Sequence, residues 1–427
     1  MFSAHDDSDN HGEQMTMQIL STQMREESGA LLCLALSMLL SSLGTSIANI
    51  ALPTFLIAFD VGFDQVKWVV TIYLGTLSLF AVCVGRLGDL FGHKRMLMLG
   101  LALFTGASAL CALAPGLWTL VAARSLQGIG AAFLMTLTIA LVRETVSNNR
   151  VGRAMGLLGT MSAIGTALGP VLGGLLIDHF GWPSIFVVLV PMGLLAMFLA
   201  HRILSGDVPA RAPSLSKFAT LRHTAAVSGL LANLVVANMM MATLLVGPFY
   251  LGFSLGLSVA MIGLVMSVGP VISICAGVPS GQIVDKWGAS RVRLVGLLAL
   301  AFGAMVLACF PQLFGVRGYI AAIAILTPGY QLFQSANNTM LMAGVPTDQR
   351  GVVSGLLSLS RNLGLISGAV LMGAVFSFGV GTSDLAAASA ESIVDGMQLT
   401  FLTTAVSIVA VIWMIGLANE PNMSTLD

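Results

Sequence analysis

Residues 85–95 read Gly85-Arg-Leu-Gly-Asp89-Leu-Phe-Gly92-His-Lys-Arg95, and residues 281–291 read Gly281-Gln-Ile-Val-Asp285-Lys-Trp-Gly288-Ala-Ser-Arg291. Gly, Asp, Gly and Arg recur at one offset of 196. A second match follows further along. Gly152, Gly156, Leu157, Leu158, Gly165, Gly169 and Gly174 reappear as Gly351, Gly355, Leu356, Leu357, Gly364, Gly368 and Gly373, at an offset of 199. Two independent matches at nearly one offset mark a duplicated unit.

Outward from these turns the chain is a series of apolar runs. Spans of roughly 30–52, 67–85, 95–114, 117–142, 152–177, 182–203, 227–251, 258–280, 292–310, 318–343, 351–378 and 396–417 are each long enough to cross a bilayer, which takes about 20 mostly apolar residues. Over the 427 residues 56% are apolar and only 9% charged, against about 25% charged in soluble domains; the mean hydropathy is +0.93. This composition excludes a soluble enzyme, a nucleic-acid binder, a disordered scaffold and a disulfide mini-domain. The 19 basic and 19 acidic residues cancel, so net charge suggests no polyanion partner. Cys33, Cys83, Cys111, Cys275 and Cys309 lie in apolar runs without CxxC spacing, which predicts core thiols and no metal site.

The predicted architecture is an all-α membrane protein with twelve transmembrane helices in two pseudo-symmetric six-helix bundles. An acidic tail without an apolar stretch covers 1–28 and is expected to be disordered. The bundles take 29–203 and 224–418, joined by a basic polar linker at 204–223, and a short tail follows at 419–427. With an even number of spans both termini share a side. Fifteen Lys and Arg, from Arg25 to Arg350, then fall on that side, and only Lys67 and Arg317 on the other. The positive-inside rule makes the fifteen cytoplasmic, together with both termini and the linker. Twin bundles side by side enclose a central site that rocking exposes to either face in turn, the architecture of secondary transporters; a duplicated scaffold without transport is the bland alternative.

The turn at 85–95 suits a gate. Gly85 and Gly92 allow close backbone approach, Asp89 can accept hydrogen bonds from a neighbouring helix N-terminus, and Arg95 adds a cation at the membrane surface. Gly281, Asp285, Gly288 and Arg291 repeat the set. The plainer reading is a well-capped turn obeying the charge rule.

These residues resemble the signature loop of the major facilitator superfamily, Gly-x-Leu-Ala-Asp-x-x-Gly-x-Lys/Arg, and the resemblance extends over residues 30–417. Arg124-Ser-Leu-Gln127-Gly128-Ile-Gly130 in helix 4 is similar to the family's Arg-x-x-Gln-Gly-x-Gly pattern. Gly165-Thr-Ala-Leu-Gly169-Pro170-Val-Leu-Gly173-Gly174 in helix 5 looks like the antiporter motif, which in this superfamily marks exporters. Thr45-Ser-Ile-Ala-Asn49-Ile-Ala-Leu-Pro53 and Gly247-Pro-Phe-Tyr-Leu251 resemble the drug:proton antiporter branch, which usually has fourteen helices. This chain departs from that branch twice. It has a short linker in place of the extra helix pair, and Gly44 stands where the branch has an Asp that would carry the proton. No Asp or Glu lies deep in any span; Asp89, Glu144, Asp178 and Asp285 are the nearest titratable groups.

Two cations fall within the membrane, Arg124 in helix 4 and Arg361 in helix 11. Each costs about 2.5–3.5 kcal/mol on insertion scales, so each should face the interior and bond to carbonyls, amides or a substrate anion. Arg124, Gln127 and Arg361 are therefore the candidate transport and coupling residues. The Gly165, Gly169 and Gly173 ladder lines one helical face for close packing, and Pro170 adds a bend. Helix 10 is the most polar span: Tyr330, Gln334 and Asn337 share a face, with Gln331, Ser335 and Asn338 beside them. In lipid such groups need partners or water, which predicts a cavity face or, alternatively, helix-to-helix bonding. Asn233 and Asn238 in helix 7 point about 140° apart, and Asn238, near the middle of the span, is the better cavity candidate. Asn49 in helix 1 completes the set.

The leading expectation is a secondary active exporter of amphiphilic small molecules, in the manner of multidrug efflux, coupled to an ion by antiport. The alternatives are a facilitator or exchanger for an anionic metabolite held by the intramembrane arginines, and a non-transporting receptor or scaffold. The sequence holds no GxxxxGK[ST] loop for ATP and no nucleophile–base pair, so neither an ATP-driven pump nor an enzyme is expected. No cofactor or metal is expected. The expected partners are the small-molecule substrate, protons and the lipid bilayer of the cell inner membrane; the chain is expected to act as a monomer.

Overall fold

A computed structural model describes residues 6–146, 150–204, 224–343, 345, 350–382 and 384–418. The basic linker, apart from Leu204, and the tail at 419–427 lie outside the described residues.

The described backbone is almost wholly helical. In the first half α1 is Asp6–Ile50, α2 Trp68–Phe91, α3 His93–Ala112, α4 Leu117–Thr145, α5 Val151–Phe180 and α6 Leu189–Ile203; short helices Leu52–Phe59, Phe63–Val66 and Ser184–Val187 fill the connections. The second half holds α7, Thr224–Phe249, which widens into a π-turn at Tyr250–Ser254, and α8, Val259–Trp287. A helical run of 54 residues, Ala289–Met342, comes next. At 1.5 Å per residue a straight helix of that length would be about 80 Å long, far beyond a bilayer core of about 30 Å. It is broken at Gly315 (φ 54°, ψ −131°). A Cβ on Gly296 would sit 2.6 Å from the Phe333 amide nitrogen, and one on Gly303 2.7 Å from Leu326. The two arms therefore double back on each other as an antiparallel pair, α9 and α10. The last crossings are α11, Arg350–Ser367 continued through a π-turn at Gly368–Met372 into Gly373–Val380, and α12, Ala390–Ala418.

Ten of the described helices are long and apolar enough to cross a membrane, and residues 63–91 form an eleventh, bent by 48°. Counting the arms of Ala289–Met342 separately brings the crossings to the predicted twelve. The chain begins as a helix at Asp6, so regular backbone runs through the segment whose acidic composition suggests an unstructured tail; its Gln, Met and Glu content favours helix.

Leu99 and Leu110 on α3, Leu194, Leu195 and Phe198 on α6, Leu298 and Phe302 on α9, and Val406, Val409 and Trp413 on α12 are all exposed. Such an apolar outer surface on four helices is at home in lipid and nowhere else. Cys33 and Cys111 are buried, whereas Cys83, Cys275 and Cys309 are exposed. Three of the five thiols thus fall outside the core predicted for them, because in lipid a small apolar side chain gains little by being buried.

α5 packs on α1 and α11 on α7, the same pairing in each half. Gly165 abuts the Leu39 carbonyl, Gly169 meets Ser46, and Gly173 meets Ile50; Gly364 and Gly368 lie against Leu234 and Asn238. Any side chain at these positions would push the backbones apart.

Candidate functional site

α5 and α8 define the space between the halves. A Cβ on Gly174 would lie 2.6 Å from the Val259 carbonyl, and Gly263 abuts the Pro170 carbonyl. Asp178 Oδ2 accepts a hydrogen bond from the Ala260 amide at 3.2 Å, which joins a carboxylate of one half to the N-terminal turn of a helix in the other. At 100° per residue, Gly156 falls on the α5 face that carries Pro170 and Gly174, and Gly277 and Gly281 on the α8 face that carries Gly263. A Cβ on any of these three would meet nothing within 4 Å. The antiparallel register that pairs Pro170 with Gly263 sets Gly156 opposite Gly277. The two helices therefore touch near the face where α5 ends and α8 begins, and part toward the face that carries the turns at Gly92 and Gly288.

The closed end has a second seal. Phe63 packs edge-on against Phe249, with centroids 5.0 Å apart, and against Phe376 at 5.3 Å. A Cβ on Gly373 of α11 would lie 3.5 Å from both Phe63 and the Lys67 side chain, and Lys67 is paired with Asp64 at 2.7 Å. Aromatic side chains from the α1–α2 connection, α7 and α11 thus close that face across the halves. The halves are thus in contact at that end, while Gly156, Gly277 and Gly281 leave open space for a cleft between α5 and α8 at the other.

Arg124 does not line this cleft. It is 0% exposed. Its Nε donates to the Val69 carbonyl at 3.2 Å, and its Nη1 donates to the Gly44 carbonyl at 3.0 Å and to Gln127 Oε1 at 2.5 Å. Gln127 Nε2 donates in turn to Ser108 Oγ at 2.7 Å. The guanidinium lies 4.0 Å from the Tyr73 ring centroid, a cation–π contact in a dry setting. One arginine therefore ties α1, α2, α3 and α4 together. Gly44 has a steric reason too: a Cβ there would come within 2.9 Å of Phe104 and 3.3 Å of the Tyr73 hydroxyl. A carboxylate has no room where the resembling branch keeps its Asp.

Arg361 is its opposite. The side chain is exposed and makes no hydrogen bond or ion pair with any described residue. The remaining polar candidates divide. Gln334 Nε2 donates to the Tyr330 hydroxyl at 2.8 Å, both side chains half-buried; Gln331 Nε2 donates to Ser273 of α8; Asn338 is exposed. Asn337, placed by sequence spacing on the cavity face, is fully enclosed and donates to the Gly229 carbonyl of α7 at 3.2 Å. It ties helices, because α10 turns that side toward α7. Asn238 donates to Ser367 Oγ at 3.1 Å and Asn233 to the Leu357 carbonyl at 3.0 Å, so both reach α11 despite their angular separation. Asn49 is buried with its Oδ1 unpartnered among the described residues.

The two turns share a backbone conformation, φ 95° and ψ 134° at Gly92 and φ 82° and ψ 142° at Gly288, which only glycine adopts without strain. Their surroundings differ. His93, missed by sequence reasoning, is 8% exposed; its Nδ1 lies 2.7 Å from Glu144 Oε1 and its Nε2 3.3 Å from Asp89 Oδ1. In the first copy the signature Asp is thus held by a neighbouring ring and tied to α4. Gly85 is half-buried and Arg95 exposed there. In the second copy Ala289 takes the place of His93, Gly281 is open, and Asp285 and Arg291 stand exposed.

Comparisons with known proteins agree with this geometry. Residues 34–369 match the Major Facilitator Superfamily. The riboflavin transporter RibZ of Clostridioides difficile (strain 630) is 29% identical over 406 residues, 83% of this chain and 89% of that protein. The multidrug efflux pump LfrA of Mycolicibacterium smegmatis is 28% identical, over 82% of this chain and 80% of its own. Among solved structures, a bacterial homologue of the human lysosomal transporter Spinster, in an inward-facing and unoccupied conformation, superposes with a TM-score of 0.78 at 15% identity over 92% of this chain and 97% of that one. A family match over most of the chain, on a twelve-crossing scaffold built from two like bundles around a cleft, makes this multi-span membrane protein a member of the Major Facilitator Superfamily of transporters.

Proposed function

We propose that this chain is a secondary active exporter of amphiphilic small molecules, driven by ion-coupled antiport and residing in the cell inner membrane with both termini cytoplasmic. The single observation that carries the reading is the cleft: sealed at one face by Phe63, Phe249, Phe376 and the Pro170–Gly263 contact, open at the other. That is the shape one state of an alternating-access carrier must have. With the basic turns on the cytoplasmic side, the state is open inward. The antiporter-like motif supports export, and relatives named as multidrug pumps support a broad range of amphiphilic cargo. The turns at Gly85–Arg95 and Gly281–Arg291 act as the cytoplasmic gate, and Arg124 with Gln127 braces the first bundle. No carboxylate sits deep in the spans, so the ion-coupling group of this reading stands at a helix end, and Asp178, which accepts the Ala260 amide across the halves at the sealed face, is the candidate we favour.

Everted membrane vesicles loaded with a fluorescent amphiphile test this reading. Accumulation driven by an imposed proton gradient and lost on adding an uncoupler is the expected result. Gradient-independent equilibration would instead establish a facilitator or exchanger, and no movement of any substrate by well-folded protein would end the carrier reading.

A further inference from the structure

We propose that Arg361 is an anion-recognition point in the cleft, and that the chain carries amphiphiles bearing a carboxylate, sulfonate or phosphate group. This rests on the reading of the cleft as a substrate path. In α11, Leu356, Leu359, Leu363 and Ile366 gather on one side at helical spacing, while Ser354, Ser358, Arg361 and Asn362 gather on another. α11 meets α2 of the other half, and Ser354, Ser358 and Arg361 are all exposed. Arg361 lies eleven residues in from the start of α11, about 16 Å along the helix and within the inner half of the span Val353–Val380.

A guanidinium at that depth needs a partner or water, and no described residue supplies a counter-charge. No Asp or Glu occupies the central part of any span. Arg361 has no partner among the described residues, whereas Arg124, the other deep cation, is buried, with its Nε and Nη1 bonded to carbonyls and Gln127 and its Nη2 enclosed without a partner among the described residues. The internal repeat sharpens the contrast: the α5 residue at the offset of 199 is Ser162, which simply bonds to Ser42 at 2.7 Å. Of these two intramembrane arginines among the described residues, Arg361 alone is both exposed and unbonded, a fork of donors of the kind that matches a planar or tetrahedral anion. The absence of a deep carboxylate also leaves a cationic amphiphile without a counter-charge in the cleft.

The test uses full-length protein in phosphatidylcholine nanodiscs and three fluorescent probes on one aromatic body: dansylglycine (anionic), dansylamide (neutral) and dansylcadaverine (cationic). Wild type should bind dansylglycine about tenfold more tightly than dansylcadaverine. Arg361→Gln should weaken dansylglycine about tenfold, leave dansylamide unchanged, and Arg361→Lys should keep most of the anion preference. Failure of dansylglycine to bind wild type, equal affinity for the cation, or an unchanged anion preference in Arg361→Gln overturns the proposal. Adding phosphatidylglycerol separates two sources of the anion. Displacement of dansylglycine assigns the site to a lipid headgroup and persistence to a soluble amphiphile, both with the anion at Arg361. Binding needs neither a gradient nor a direction, so its failure is distinguishable from a failure of export.

Discussion

The two six-helix bundles begin from one repeat, and although both enclose polar groups (Asn233 and Asn337 in the second), they differ in how they treat the rest. The first half turns them inward: Arg124 with Gln127 and Ser108, Tyr73 with Ser41, Ser42 with Ser162. The second leaves Arg361 and Asn338 exposed and Gln334 and Tyr330 half-buried. Duplication supplies the scaffold twice, but recognition needs unsatisfied donors only once. The first bundle reads as the brace and the second as the side that meets the cargo.

The most damaging way to break that contrast is Arg124→Ala. It strips buried partners from the Gly44 and Val69 carbonyls and from Gln127, each worth about 1–3 kcal/mol when left unmade. Transport should vanish and thermal stability should fall steeply, and Arg124→Lys should rescue little because an ammonium cannot fork; a melting curve beside a transport assay reads both. Glycine substitutions should sort by location rather than by half. Gly169→Ala and Gly364→Ala should each lower stability by about 1–3 kcal/mol as overpacking, while Gly156→Ala and Gly355→Ala, facing open space, should leave melting almost unmoved. The two turns offer a subtler probe. Gly92→Ala and Gly288→Ala should cost about equally, near 1 kcal/mol for a strained backbone, but His93→Ala should affect only the first turn, loosening Asp89 and Glu144. A milder effect is expected for Asp178→Asn, which keeps an acceptor for the Ala260 amide but removes a charge worth about 0.3–1 kcal/mol at a helix N-terminus; the sealed face should open more readily, measured as faster labelling of a cysteine placed at Phe63.

The features readable from sequence are those set by backbone chemistry. Gly92 and Gly288 were legible because the turn demands glycine, and the Gly165–Gly173 ladder because small residues at every fourth position have one use in lipid. The spans follow from apolar length, and their repeat from two motif matches at offsets of 196 and 199. Side-chain partners were less visible. The match of His93 with Glu144 joins residues 51 apart, and no spacing rule links them. Asn337 carries the same polar signal as Gln334, yet one is enclosed by α7 and the other half-open, because helical spacing gives a residue's face and not what that face meets. Both arginines read as intramembrane cations, Arg124 within a motif and Arg361 without one, and their neighbours separate an enclosed cation from an exposed one.

The contact of Pro170 with Gly263 has a mechanical consequence. It divides α5 unequally, with about 27 Å of rod between Gly152 and the contact but only about 15 Å beyond it to Phe180. Such a fulcrum makes α5 a lever: tilting by about 10° sweeps the long arm through roughly 5 Å while the short arm travels little more than half as far. In such a lever a small shift of the short arm, where Gly174 and Asp178 meet α8, would be magnified at the Gly152 end.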